Sequence, residues 1–211
     1  SPADLSSLPA LTSLDLSANQ LASVAALGSA PRLLRLHLGS NQLGTATGLA
    51  ACAPRLTALD LSGNALVALD GLAPLPQLTS LSLARNGLAS LGGLTAAALP
   101  WSGLPALTSL DLSGNLLQAL EQLAPLAGLP LLAELMLLET PLVGPVEGVE
   151  EPPLDNCRVE LLLLLDEHTP RAARLQRLAT GEEEAGVTPE EREAAKALKL
   201  ERDEAAAEAG A

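Results

Sequence analysis

LTALDLSGNAL, at residues 56–66, occurs six times in this chain with small changes, and its spacing decides the architecture. The other copies are LTSLDLSANQL from Leu11, LLRLHLGSNQL from Leu33, LTSLSLARNGL from Leu78, LTSLDLSGNLL from Leu107 and LAELMLLETPL from Leu132. All follow L-x-x-L-x-L-x-x-N-x-L. The ninth position is Asn19, Asn41, Asn64, Asn86, Asn115 and finally Thr140, at intervals of 22, 23, 22, 29 and 25 residues. A period of this length, with too little apolar surface in one unit to form a core alone, marks coils that bury their leucines against each other. In L-x-L both leucines lie on one side of a strand, so Leu14 with Leu16, Leu59 with Leu61 and Leu110 with Leu112 face inward. The Asn stands where the chain leaves the strand, and its amide can satisfy backbone groups of neighbouring coils that would otherwise be buried without partners. Leu66, Leu69, Leu72 and Leu75 then recur every three residues, enough for a short 3₁₀ or helical turn on the back of a coil and too little for a long helix.

These features predict an α/β solenoid of leucine-rich repeats, a right-handed curved coil with short parallel strands on the concave face and a helical cap at the C-terminal end. The expected divisions are a solenoid over 1–142, a linker rich in Pro, Gly and Glu over 143–153, a capping helical region over 154–180, and an acidic loop with a charged helix over 181–211. Within the cap, LDNCRVELLLLLDEH is apolar enough for a buried helix. RAARLQRL is read as continuing with helical spacing at Ala173, Leu175 and Leu178. In the last segment Thr188, Pro189 and Glu191 form the start signal of a helix, with N-cap, first helical position and capping-box acid in order. That helix has only Leu198 and Leu200 as large apolar residues and is expected to face solvent. The stretch TAAALPWSGLP lengthens one coil by about seven residues over the basic period, and insertions of this kind map to loops. Trp101, the single aromatic residue, is placed at its tip as a contact residue. The first coil is a stub, Leu5 to Leu8, and terminal repeats need a polar cap, so further residues are expected before Ser1.

Of 211 residues 48% are apolar, yet Phe and Tyr are absent, so leucine must fill the core. Each fully buried leucine contributes roughly 1.5 to 3 kcal/mol, which makes such a lattice an adequate source of stability. Residues 1–130 carry six acids and four bases, whereas residues 131–211 carry nineteen acids and eight bases, so the acidity is concentrated at the C-terminal end. A net charge of −13 repels phosphate, and no basic stripe with stacking aromatics offsets it, which disfavours nucleic acid as a partner. The most apolar run, Leu161 to Leu165, is far too short to cross a bilayer. The two cysteines, Cys52 and Cys157, are not clustered as in disulfide-stapled secreted domains, which favours a reducing compartment.

No residue set points to chemistry. His37 and His168 lie in different parts of the chain, no Ser-His-Asp, Cys-His or metal-ligand spacing connects them, and no glycine-rich loop has the phosphate-cradling form. GEEEAG reads as a solvated loop, because a hard cation needs converging rather than consecutive oxygens. No catalytic residue, cofactor or metal is expected, and the chain is expected not to be an enzyme. What remains is surface. The strand register turns outward Ser13, Asp15 and Ser17; Arg35, His37 and Gly39; Ala58, Asp60 and Ser62; Ser80, Ser82 and Ala84; Ser109, Asp111 and Ser113; and Glu134, Met136 and Leu138. The candidate protein-binding residues on this face are Asp15, Arg35, His37, Asp60, Ser82, Asp111, Glu134, Met136 and Leu138. Small side chains leave the backbone open, the acids favour a basic partner segment, and the outward apolar pair Met136 and Leu138 needs cover from the cap or a partner.

On these repeats the chain resembles the 22-residue class of intracellular leucine-rich repeat proteins that end in a helical cap. Within it, LEQLAPLAGLPLLAELMLLETPL, NCRVELLLLL, LQRL and EEREAAKALKLERDEA together look most like the leucine-rich repeat protein of the ciliary radial spoke. LAACAPRLTALDLSGN looks equally like the acidic nuclear phosphoproteins, whose long polyacidic tail is missing here. The resemblance implies a noncatalytic scaffold in a large multi-subunit complex of the cilium or flagellum axoneme, with a cytosolic or nuclear regulatory adaptor, of the phosphatase-regulatory or the acidic nuclear phosphoprotein type, as the alternative. Neither membrane nor nucleic acid is implied as a partner. The chain departs from the class at Thr140, where Asn is usual, and in the length of the linker that follows.

Overall fold

The computed structural model describes residues 5–69, 71–72, 74–92, 100–143, 157–168, 175–180 and 186–209. Seven three-residue strands, β1 (Ser13–Asp15), β2 (Arg35–His37), β3 (Ala58–Asp60), β4 (Ser80–Ser82), β5 (Ser109–Asp111), β6 (Glu134–Met136) and β7 (Arg177–Ala179), form one sheet in sequence order. Every pairing is parallel and in strict register. Leu14, Leu36, Leu59, Leu81, Leu110, Leu135 and Leu178 form its middle row.

That row is the floor of the core. From Leu36 onward its leucines are buried, as are the second leucines of the motif, Leu38, Leu61, Leu83, Leu112 and Leu137. Short segments form the back: 3₁₀ turns at Leu5–Ser7, Ala25–Leu27, Pro100–Gly103 and Leu120–Gly128, and a single helical turn, α1 (Leu49–Cys52). Strands stack about 4.8 Å apart while helical segments need roughly 8 to 10 Å, so the back opens wider than the sheet and the sheet takes the concave side.

The Asn expectation holds in atomic detail. Asn86 Nδ2 donates to Leu83 O of its own coil at 2.9 Å and to Leu61 O of the preceding coil at 3.0 Å, while its Oδ1 accepts the Leu66 amide at 3.0 Å. Asn41, Asn64 and Asn115 repeat the pattern one coil at a time. Among the described residues Asn19 bonds its own coil alone, through Leu16 O and Ser17 O. Thr140 ends the ladder, its hydroxyl donating to Leu137 O of its own coil. A second ladder runs at the strand entrances, where the hydroxyls of Thr57, Thr79 and Thr108 donate to carbonyls of the preceding coil.

Two expectations for the cap are corrected. LQRL is not helical: residues 177–179 are β7, paired with β6, so the sheet has seven strands and not six. Leu175 and Leu178 are both buried, at 2% and 0% exposure. Their i, i+3 spacing fits a helix, but it is also the L-x-x-L that opens every coil, and an available parallel edge favours the strand reading. The helix α2 (Cys157–His168) follows β6, supplies the back of that sixth coil and packs against the turn at Leu120–Gly128 of the fifth.

The second correction concerns α3 (Pro189–Ala209), which is docked and not wholly solvent-facing. Its capping box forms as expected, with Glu191 N on Thr188 Oγ1 at 3.1 Å and Thr188 N on Glu191 Oε2 at 2.9 Å. It lies on α2 with Ala195 buried, and is anchored by Arg202 paired to both oxygens of Glu160 at 2.8 and 2.9 Å and by Arg192 Nη2 donating to Leu175 O at 2.6 Å. Charged anchors thus do what the sparse apolar residues cannot. Leu200 and residues 201–207 are exposed. The expected linker over 143–153, beyond Val143, and the acidic loop 181–185 lie outside the described residues.

Candidate protein-binding surface

The register builds the outward face in three rows. The first strand positions stack as Ser13, Arg35, Ala58, Ser80, Ser109, Glu134 and Arg177, and the third as Asp15, His37, Asp60, Ser82, Asp111, Met136 and Ala179. Two residues beyond the third row follow Ser17, Gly39, Ser62, Ala84, Ser113 and Leu138. Asp15, Arg35, His37 and Ser80 are exposed, and Asp60, Ser82, Asp111 and Glu134 are half-buried. The expected surface residues are therefore gathered on one face, with Trp101 as the exception.

Trp101 is 1% exposed, and its Nε1 donates to Leu91 O at 3.0 Å. It stands in the 3₁₀ turn Pro100–Gly103 on the back of the solenoid, filling space that leucines fill elsewhere, and is no contact residue. A large amphipathic ring is better accommodated inside once its N–H finds a carbonyl. The part of the insertion before Pro100 lies outside the described residues.

The acids on the face are held in place by the backbone. Asp15, Asp60 and Asp111 each accept, through Oδ1, the amide two residues ahead, from Ser17, Ser62 and Ser113 at 2.8, 2.9 and 3.0 Å. At Asp15 this backbone hydrogen bond, helped by the Ser17 hydroxyl, holds the carboxyl below its ordinary value. The arrangement fixes each carboxylate while leaving a second oxygen for another group. Asp60 Oδ2 lies 3.9 Å from His37 Nδ1. It also overhangs Gly39, where a Cβ would come within 3.0 Å of Asp60 Oδ2 and of Ser62 Oγ, so Gly39 is buried under its neighbours and is not part of the open face.

Toward the C-terminal end, Glu134 pairs with Arg177 of β7 at 3.3 Å and is partly neutralised. Met136 and Leu138 are half-buried, Met136 lying beside β7. In the middle of the face, Ala58, Ser80, Ser82, Ala84 and Ser109 form a shallow floor between Asp60 and Asp111.

One recurring feature has no counterpart in the motif reading. The residue before each marker position has a left-handed backbone: Ala18, Ser40, Gly63, Arg85, Gly114 and Glu139, with φ of 53 to 65°. Only two of the six are glycine. Arg85 and Glu139, two coils apart, reach across Gly114 to pair at 3.6 Å along the rim of the face. Among the described residues no group of three His, Cys, Asp or Glu is placed to hold a metal ion, and no helix is long and apolar enough to cross a membrane.

Comparison with known proteins agrees with the fold. The family described as "Leucine Rich repeats (2 copies)" matches residues 76–128. Among solved structures, the Drosophila melanogaster SNF/U2A′ complex contains a chain 24% identical, with a TM-score of 0.56, covering 87% of this chain and 79% of that one. Internalin C2 of Listeria monocytogenes is 26% identical with a TM-score of 0.51, over 63% of this chain and 64% of that one. No curated protein is significantly similar to the chain. The repeats, the ladders and these likenesses together show a leucine-rich repeat solenoid whose C-terminal end carries helices.

Proposed function

We propose that this protein is a noncatalytic scaffold whose sheet face holds segments of other proteins, and that it serves as a structural subunit of an axonemal complex of the radial-spoke kind. The observation that carries the scaffold reading is the open floor of small side chains between Asp60 and Asp111, each carboxylate fixed by the amide of its own turn. A preformed face of this kind loses little conformational entropy when a partner lies on it, so many modest contacts can add up to a stable complex. An extended segment with basic residues suits it best, because carboxylates held at the surface steer and align cations. The axonemal assignment is supported by the resemblance of the last repeat, LQRL and the charged C-terminal helix to the radial-spoke protein.

Asp60→Asn with Asp111→Asn keeps an oxygen for each turn amide and removes both charges. Affinity purification with crosslinking from ciliated cells should recover axonemal subunits on the wild-type protein and markedly less on the double variant. Equal recovery would remove the sheet face from the account. The second reading, a nuclear or cytosolic adaptor, is favoured by LAACAPRLTALDLSGN and its likeness to acidic nuclear phosphoproteins. Detergent extraction separates the two, since an axonemal subunit stays with the insoluble axoneme and an adaptor is released.

A further inference from the structure

We propose that His37 is a proton-operated switch on the sheet face: on taking up a proton it closes Asp60 to a basic partner segment and leaves Asp111 open. This rests on the basic-segment reading of the face and adds its regulation. In the third strand row His37 stands between Asp15 on β1 and Asp60 on β3. Asp60 has one oxygen committed, Oδ1, which accepts the Ser62 amide at 2.9 Å. Oδ2 is what remains for a partner's cation, and it is this oxygen that lies 3.9 Å from His37 Nδ1.

The position of that carboxylate has its cause in the preceding coil. A Cβ on Gly39 would come within 3.0 Å of Asp60 Oδ2, so the bare backbone there gives the carboxylate room to lie over β2, beside the imidazole. Asp111 is placed differently. It takes the same turn amide, from Ser113, but the preceding coil has Ala84 where Gly39 stands, and its neighbours in the row are Ser82 and Met136. Neither neighbour can take up a proton near neutral pH, so the two acids of the face answer differently to acidification.

The charged groups around His37 set the sign. β1 contributes Asp15, β3 contributes Asp60, and its own strand contributes Arg35, exposed and two residues back. Histidine is the side chain whose charge changes between about pH 5 and 8. With His37 neutral, Asp60 Oδ2 faces a partner as an uncompensated anion. With His37 protonated, the carboxylate is paired from within the face, and the imidazolium and Arg35 together repel a lysine or arginine arriving there. The side chains of His37 and Asp60 are 46% and 31% exposed, so water moderates the effect to about threefold to fivefold in affinity.

A blocked synthetic peptide with two lysines three residues apart tests this on the full chain. Its binding is followed by backbone amide chemical shifts, which also confirm that each variant is folded. Extended, the lysines stand about 10 Å apart, the two strand spacings that separate β3 from β5, and their charge is constant between about pH 5.5 and 7.5. The wild type should bind about threefold to fivefold more weakly at the lower pH than at the higher. His37→Gln should abolish the difference and bind at both pH values as the wild type does at the higher. Asp60→Asn should bind more weakly and lose most of the difference, whereas Asp111→Asn should bind more weakly and keep it. A wild type indifferent to pH, or a pH dependence that survives His37→Gln, overturns the switch and leaves the reading of the face intact. Absence of binding at either pH would instead overturn the reading of the face as a site for basic segments, and the switch with it.

Discussion

At the scale of single residues, stability is concentrated in side chains that serve two coils at once. Removing Asn86 by Asn86→Ala would leave the buried Leu66 amide without its acceptor, while the Leu61 and Leu83 carbonyls each lose one of two donors and keep Asn64 and Asn115. An orphaned buried amide costs about 1 to 3 kcal/mol, so urea unfolding should show a loss of about that size. Asn19→Ala, on an exposed coil with local bonds only, should cost far less. The left-handed positions give a prediction of opposite signs. Ser40 is held at φ 55°, and for a residue with a Cβ that region costs roughly 1 to 2 kcal/mol, only part of which is offset by glycine's greater freedom when unfolded. Ser40→Gly should therefore stabilise by about 0.5 to 1 kcal/mol and Gly63→Ala should destabilise by a similar amount or more. The Asn ladder was legible in the sequence because the amide recurs at one position. The left-handed row was not, because Ala, Ser, Gly, Arg, Gly and Glu share no chemistry and only the turn they occupy unites them.

At the scale of elements, a strand of three residues is specified by little more than L-x-L and a neighbour to pair with. The six strands legible in the sequence all carry that signature in full. β7 carries only Leu175 and Leu178, a spacing that a helix and a coil share, and pairing with β6 decides between them. The α3 docking was illegible for a different reason: Arg202 and Glu160 are 42 residues apart, and nothing local joins them. The Arg202 and Glu160 side chains are 51% and 22% exposed, so water and salt weaken the pair and it contributes only about 0.5 to 1 kcal/mol. Because α3 buries little apolar surface, that small amount matters to its docking. Arg202→Ala should raise amide exchange along α3 measurably, more so in high salt, while exchange in β3 to β5 stays unchanged. Equal protection in the variant would show that α3 is held by other contacts.

At the scale of the whole molecule, the protein is a leucine stack with an open sheet face, closed behind by short turns and at one end by helices. The face was legible as a set of outward residues, since register follows from the repeat. Trp101 was not, because an insertion shows where a chain is longer but not which of its side chains turn inward. Burial pushes the Cys52 thiol above its ordinary value of 9.0, the Ala30 backbone bond opposing it weakly. A raised folded value means that the stability from keeping the thiol neutral is present below pH 9 and is lost as pH rises above it. With no tyrosine to titrate in that range, the urea midpoint should fall between pH 9 and 11 less steeply in Cys52→Ala than in the wild type. Asp15 has the opposite sign: its lowered value gives stability that is present above the ordinary 3.8 and lost below it. The central claim, that the sheet face is what holds other proteins, is tested most directly by a photocrosslinking residue placed at Ser82 and, separately, at Ala205 on α3, in ciliated cells. The account predicts adducts to other polypeptides from Ser82 that disappear with Asp60→Asn and Asp111→Asn. Adducts from Ala205 alone would contradict it.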